Sequence, residues 1–182
     1  RSFQKKYPDI EIEVFQGTYD DVTYWLKNGV VDLGFLSTSS AKDIPIEPLW
    51  RDPLLCIVPK GMKKEKDTDY MDIGEIRNHQ FVTQRESTDA DIQNFLKENS
   101  INIQSNYHVV DDLSTVAMVA NGFGICLMPQ MVMRDIPYEV DCYPVQPYAE
   151  RVIGLATLHP EFLAPAVRSM YNHILENYKE DF

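Results

Sequence analysis

Basic charge is in short supply. Across 182 residues there are 17 Lys and Arg against 28 Asp and Glu, a formal net charge of −11. Surfaces that hold nucleic-acid phosphates are ordinarily basic, so these residues are not expected to contact nucleic acid themselves. Long apolar runs are missing too. Runs such as Ile125 to Met128 last a handful of residues, far from the roughly 20 that cross a bilayer. The opening Arg1-Ser-Phe-Gln-Lys-Lys has no apolar stretch of the kind a secretion signal carries. Cysteine is limited to Cys56, Cys126 and Cys142, with no Cys-x-x-Cys. The four histidines (His79, His108, His159, His173) are scattered, so no metal site is expected. Cys56 and Cys126 lie inside apolar runs, where free thiols pack as small hydrophobes. A reducing, cytoplasmic setting fits this usage.

Motifs of catalysis and of cofactor binding are absent as well. There is no Gly-x-Ser-x-Gly and no Walker lysine motif. Gly122-Phe-Gly124 falls between a helical pattern and a following strand pattern, the reverse of a dinucleotide-binding turn. No enzyme and no cofactor is expected.

What remains is a 44% hydrophobic chain that alternates short strand patterns with helical ones. Ile10-Glu-Ile-Glu-Val-Phe15 alternates apolar and polar, which predicts a strand. Thr18 with Asp21 has capping-box spacing, and Tyr19, Val22 and Leu26 share a helical face closed by Gly29. Val30 to Leu36 is near-continuously apolar, as a strand covered on both faces would be. Strand, helix and strand within about thirty residues make a βαβ unit.

Ile46–Leu49 and Leu54–Val58 predict further strands, the second stopped by Pro59 and Gly61. A charged loop spans Lys60 to Asp69. Ile73 and Ile76 suggest a short helix, and Gln80–Thr83 a short strand. Ser87 or Thr88 can cap a helix through Asn99 that buries Ile92, Phe95 and Leu96. A strand over Tyr107–Val110 leads to a helix capped by Asp111 or Asp112, with Leu113, Val116, Ala117 and Ala120 on one face. Gly122 is placed to end that helix. Gly124 would let the chain turn close against it as a strand over Ile125–Met128 begins, and Pro129 opens the next helix. Strands at Tyr143–Val145 and Val152–Thr157 follow. A last helix from about Glu161 to Tyr178 turns Val167, Met170, Tyr171, Ile174 and Leu175 inward, and the tail from Glu176 frays.

This ordered set resembles the effector-binding domain of LysR-type transcriptional regulators. The matching residues are Phe3, Tyr7-Pro8, Ile10 to Val14, Gly17, Gly29-Val-Val-Asp32-Leu, Ile57-Val58-Pro59 and Gly122-Phe-Gly124-Ile125 to Pro129. The resemblance implies an α/β fold of two Rossmann-like lobes joined by two crossover strands, as in type II periplasmic binding proteins. Lobe one would be residues 1–58 and 154–182, lacking its first strand, and lobe two 59–153. It also implies a small-molecule effector held in the interlobe cleft, and a homodimer, with tetramers in the full-length protein. DNA would be contacted only through a winged helix-turn-helix domain that these residues do not include. The alternative on the same fold is a solute-binding protein of a transport system.

Residues at strand ends and helix starts are the candidate effector contacts. Thr18 stands at a helix N-terminus. Ser37 and Thr38 follow a buried strand. Thr83, Arg85 and Ser87 follow the first strand of lobe two, where Arg85 could pair with an acidic group. Ser114 lies on the turn after Asp111 and Asp112, whose carboxylates would repel an anion, leaving cationic, zwitterionic or neutral effectors open.

Overall fold

The computed structural model describes residues 1–41, 43–65, 67–84, 90–103 and 105–180. They divide into two compact units, one of Arg1–Arg51 with Val152–Phe182 and one of Asp52–Arg151. The chain therefore passes between the units twice.

The first unit opens with a short helix, α1 (Ser2–Lys6), which buries Phe3. Helix α2 (Tyr19–Lys27) begins at the Thr18 cap and ends ahead of Gly29, whose φ of +65° suits a residue without Cβ. Strand β1 (Gly34–Ser37) follows, and β2 (Ile46–Pro59) runs continuously where the sequence suggested two pieces. The expected alternating strand at Ile10–Phe15 does not form. The segment lies outside every strand, and Ile12, Val14 and Phe15 are exposed. Alternation creates an apolar face, but a strand also needs a neighbour to take its backbone hydrogen bonds, and none of the described strands pairs with this one.

In the second unit the order is β3 (Met71–Asp72), α3 (Ile73–Ile76), β4 (Val82–Gln84), α4 (Ala90–Glu98), β5 (Tyr107–Val109), α5 (Asp112–Ala120), β6 (Cys126–Pro129) and β7 (Val140–Gln146). The later part of β2 is flanked by β6 and β7, both antiparallel, and β7 carries β3 in parallel. Strands β4 and β5 pair in parallel. Two apolar clusters fill this unit, one around Cys56, Val58, Met71 and Phe81, the other around Ile57, Val116, Val119 and Cys126. The capping role predicted for Ser87 or Thr88 lies outside the described residues.

Two expectations here need correction. Helix α5 buries Thr115, Val116 and Val119, while Leu113 is exposed. The buried stripe is set by packing: Val116 and Val119 join the cluster around Ile57 and Cys126, and Leu113 lies off that face. Pro129 does not open a helix. It ends β6 opposite Leu54, and a 3₁₀ turn follows at Val132–Asp135.

The two glycines of the Gly122-Phe-Gly124 stretch differ in their reasons. Gly122 has φ +80° with nothing near its missing Cβ, so it is the predicted helix stop. At Gly124 a Cβ would sit 2.3 Å from the Gln80 carbonyl oxygen. Its close approach is thus to the Gln80 backbone, which accepts the Ile125 N–H at 2.8 Å, and not to the preceding helix.

Strand β8 (Glu150–Ala156) returns to the first unit and pairs antiparallel with β1 from Gly34↔Ala156 to Ser37↔Ile153. Helix α6 (Pro165–Tyr178) starts at its proline, as an N1 proline permits. His173 is its fully buried residue, and the five residues expected inward are half-buried. Glu180, two residues beyond α6, is held rather than frayed: its N–H donates to the Leu49 carbonyl at 2.7 Å, and its carboxylate accepts from the Arg51 N–H at 3.1 Å.

Candidate functional site

At the start of α2 the capping box is closed. The Thr18 hydroxyl donates to Asp21 Oδ2 at 2.7 Å and accepts from the Asp21 N–H at 3.2 Å. The Thr18 N–H donates to the same carboxylate oxygen at 2.9 Å. These bonds from the Thr18 side chain and backbone hold the Asp21 carboxyl below the usual carboxylate range. Asp20 adds a second acid to this first turn. The hydroxyl proton of Thr18 is thus already engaged, and the local field is negative.

Ser37 is fully buried at the end of β1, its hydroxyl 3.0 Å from that of Ser39. Thr38 is half-buried, with its N–H donated to the Val152 carbonyl at 2.9 Å. Of this pair, Thr38 alone has a side chain open to solvent. All three residues belong to the first unit.

In the second unit, Thr83 lies within β4 and is half-buried. Its hydroxyl donates to the Tyr107 carbonyl at 3.1 Å and lies 3.0 Å from His108 Nδ1. When the single hydroxyl proton goes to the Tyr107 carbonyl, Nδ1–H of His108 is the donor to Thr83, and Nε2 then carries the lone pair in the neutral ring. Arg85 and Ser87 lie outside the described residues. Ser114 is exposed at the start of α5, where its N–H donates to Asp111 Oδ1 at 2.8 Å. That bond and the Ser114 side chain hold the Asp111 carboxyl below its ordinary value. The Gln84 amide donates to Asp112, tying the end of β4 to the start of α5.

Sequence reasoning did not pick out His108, Gln93 or Lys97, yet these line a groove of about 440 Å³ in the second unit. Their positions on α4 and β5 are polar surface positions, and sequence periodicity marks apolar faces only. Nor did it single out Asp52 and Arg151. Asp52 Oδ2 accepts from Arg151 Nε at 2.9 Å and Nη2 at 2.8 Å, and Oδ1 accepts from the Met131 N–H at 2.8 Å. An aspartate just before a long apolar strand segment was the available signal. Among the described residues no group of His, Cys, Asp and Glu is arranged to hold a metal ion, and no helix is long and apolar enough to cross a membrane.

A family model described as the LysR substrate binding domain matches residues 1–179. The HTH-type transcriptional regulator YoaU of Bacillus subtilis (strain 168) is 23% identical over 170 residues, covering 91% of this chain and 56% of YoaU. The chain therefore spans a little over half of that relative. Two solved structures are similar in fold. The effector binding domain of QuiR in complex with shikimate has a TM-score of 0.83 at 23% identity, covering 96% of this chain and 86% of QuiR's. The regulatory domain of CcmR from Synechocystis PCC6803, in complex with 2-PG, has a TM-score of 0.87 at 16% identity, covering 98% and 88%.

Proposed function

This chain belongs to the LysR substrate-binding-domain family, and from that premise we propose that it is the effector-sensing module of a LysR-type DNA-binding transcriptional regulator. The family match over residues 1–179 carries the reading. The naming of YoaU as an HTH-type regulator supports regulation over solute transport on the same fold. DNA contact would fall to a winged helix-turn-helix domain, in keeping with the net charge of −11 of this chain. A homodimer is the expected assembly, which sedimentation velocity tests directly.

The effector is a small molecule that differs in charge from a simple anion. Each of the two helix starts named above carries a pair of acids, Asp20 with Asp21 and Asp111 with Asp112. Asp21 and Asp111 are held ionised by their hydrogen bonds. An anion approaching either helix start would meet a carboxylate before the free N–H groups. A neutral, zwitterionic or cationic molecule rich in donors meets acceptors there. Thr18, Thr38 and Ser114 are described candidates for its contacts, whereas Ser37 is buried.

The test is a thermal-shift and calorimetry panel of polyols, amino acids, amines and dicarboxylates on this chain. A concentration-dependent stabilisation by donor-rich neutral, zwitterionic or cationic compounds, weakened by Thr18→Val, is the expected result. Stabilisation confined to dicarboxylates would refute the charge assignment. A response indifferent to Thr18→Val would remove Thr18 from the site.

A further inference from the structure

The second unit carries a concavity that the effector reading does not use. It lies between the outer face of α4, the residues Ile101, Asn102, Ile103 and Ser105, and the β4–β5 pair. Its volume of about 440 Å³ is within the range of small-molecule sites. The floor is apolar: Leu96 and Ile101 are buried and Ile103 half-buried. The rim is polar and unlike the rest of the protein. In a chain of net charge −11, none of the described lining residues is Asp or Glu, while Lys97 and His108 are both present.

We propose that this groove is a second, independent ligand site. It takes a small carboxylate bearing a hydroxyl or amide on a short apolar body. The carboxylate would pair with the Lys97 ammonium, which lies in the last turn of α4 and has no acid beside it among the described lining residues. The ligand hydroxyl or amide N–H would donate to His108 Nε2, the nitrogen left with the lone pair by the Thr83–His108 bond of 3.0 Å. The ligand's apolar body would cover Leu96 and Ile103. Gln93 and Asn102 offer amides of either polarity along the rim. Recognition of such a molecule needs a cation and an acceptor above an apolar floor, and the groove supplies all three.

The site lies wholly in the Asp52–Arg151 unit, so it does not depend on Thr18. The test is NMR titration of the intact chain with lactate, 3-hydroxybutyrate and N-acetylglycine, following the His108 ring resonances. Propionate and glycerol are the controls that each lack one of the two polar groups. Expected is a saturable shift with the three probes, weakened at least about tenfold by Lys97→Met, as loss of one charge-assisted hydrogen bond implies. The same titration should be unaltered in Thr18→Val. If no probe shifts His108 saturably, or if Lys97→Met leaves the affinity unchanged, the proposal fails. A shift abolished by Thr18→Val would overturn it too, by assigning the binding to the effector site. Because His108 and Thr18 report separately, failure of the groove leaves the effector reading standing, and the converse also holds.

Discussion

Arg151→Met should strike the second unit harder than any change at its exposed rim. Asp52 is 2% exposed and the Arg151 side chain 15%, with the closest contact at 2.8 Å. At an effective dielectric near 20, two charges at that distance attract by about 6 kcal/mol before desolvation is deducted. Desolvation cancels much of this, which is why replacing both partners of a buried pair can be nearly neutral. Removing only the guanidinium is different. It leaves the carboxylate buried with a single remaining donor, the Met131 N–H at 2.8 Å, and should cost about 3–5 kcal/mol. Domain stabilities are only about 5–15 kcal/mol, so the unit would be close to unfolding. Arg151→Lys keeps the charge but loses the two-nitrogen contact, and should fall between. The assay is urea unfolding of wild type, Arg151→Met, Asp52→Asn and the double variant. Tryptophan fluorescence would report the first unit, which holds Trp25 and Trp50, and circular dichroism the whole chain. The double variant should lose less than the sum of the singles by about 2 kcal/mol or more. A cost for Arg151→Met below about 1 kcal/mol, the level of an exposed pair, would refute this reasoning.

Four further outcomes are expected. Thr18→Ala should destabilise by about 1 kcal/mol through loss of the cap, with Thr18→Ser largely spared, as measured by thermal unfolding. Gly124→Ala, whose Cβ would meet the Gln80 carbonyl at 2.3 Å, should cost at least about 2 kcal/mol, against about 1–2 for Gly122→Ala, where only the positive φ is strained. In native protein Cys142 should be the thiol that iodoacetamide labels, slowly near neutrality because burial pushes its pKa up. Cys56 and Cys126 should label only on unfolding. Acid should destabilise the fold. Asp21, Asp111 and Asp141, the last held by the Lys60 ammonium at 2.8 Å and the Gly61 N–H, titrate lower when folded, so the unfolded chain binds more protons. Their contribution is complete above the ordinary carboxylate pKa of about 4 and is lost as pH falls through the depressed folded values. A flat stability profile from neutrality down through that range would contradict it.

The local devices were readable from the sequence because their physics is local. Thr18 and Asp21 are three residues apart, and the bonds that make the capping box need nothing from elsewhere in the chain. Asp111 as a cap, Gly29 and Gly122 as helix stops, and β7 and β8 near their predicted positions belong to the same class. Ordered along the chain, these pieces pointed to the family that the comparison over residues 1–179 establishes. Tertiary structure decided whatever required a distant partner. Ile10–Phe15 has the pattern of a strand and no strand beside it. Leu113 follows a helical periodicity but lies on the exposed side of α5. Gly124 is required by Gln80, 44 positions earlier, and Asp52 by Arg151, 99 positions later. The same holds for the candidate sites. Position in the chain brought Thr18, Thr38 and Ser114 to notice, since helix starts and strand ends can be read locally. The groove over Leu96, with His108 beside Thr83, exists only because the fold brings α4 and the β4–β5 pair to either side of it, and no periodicity encodes the space left between elements.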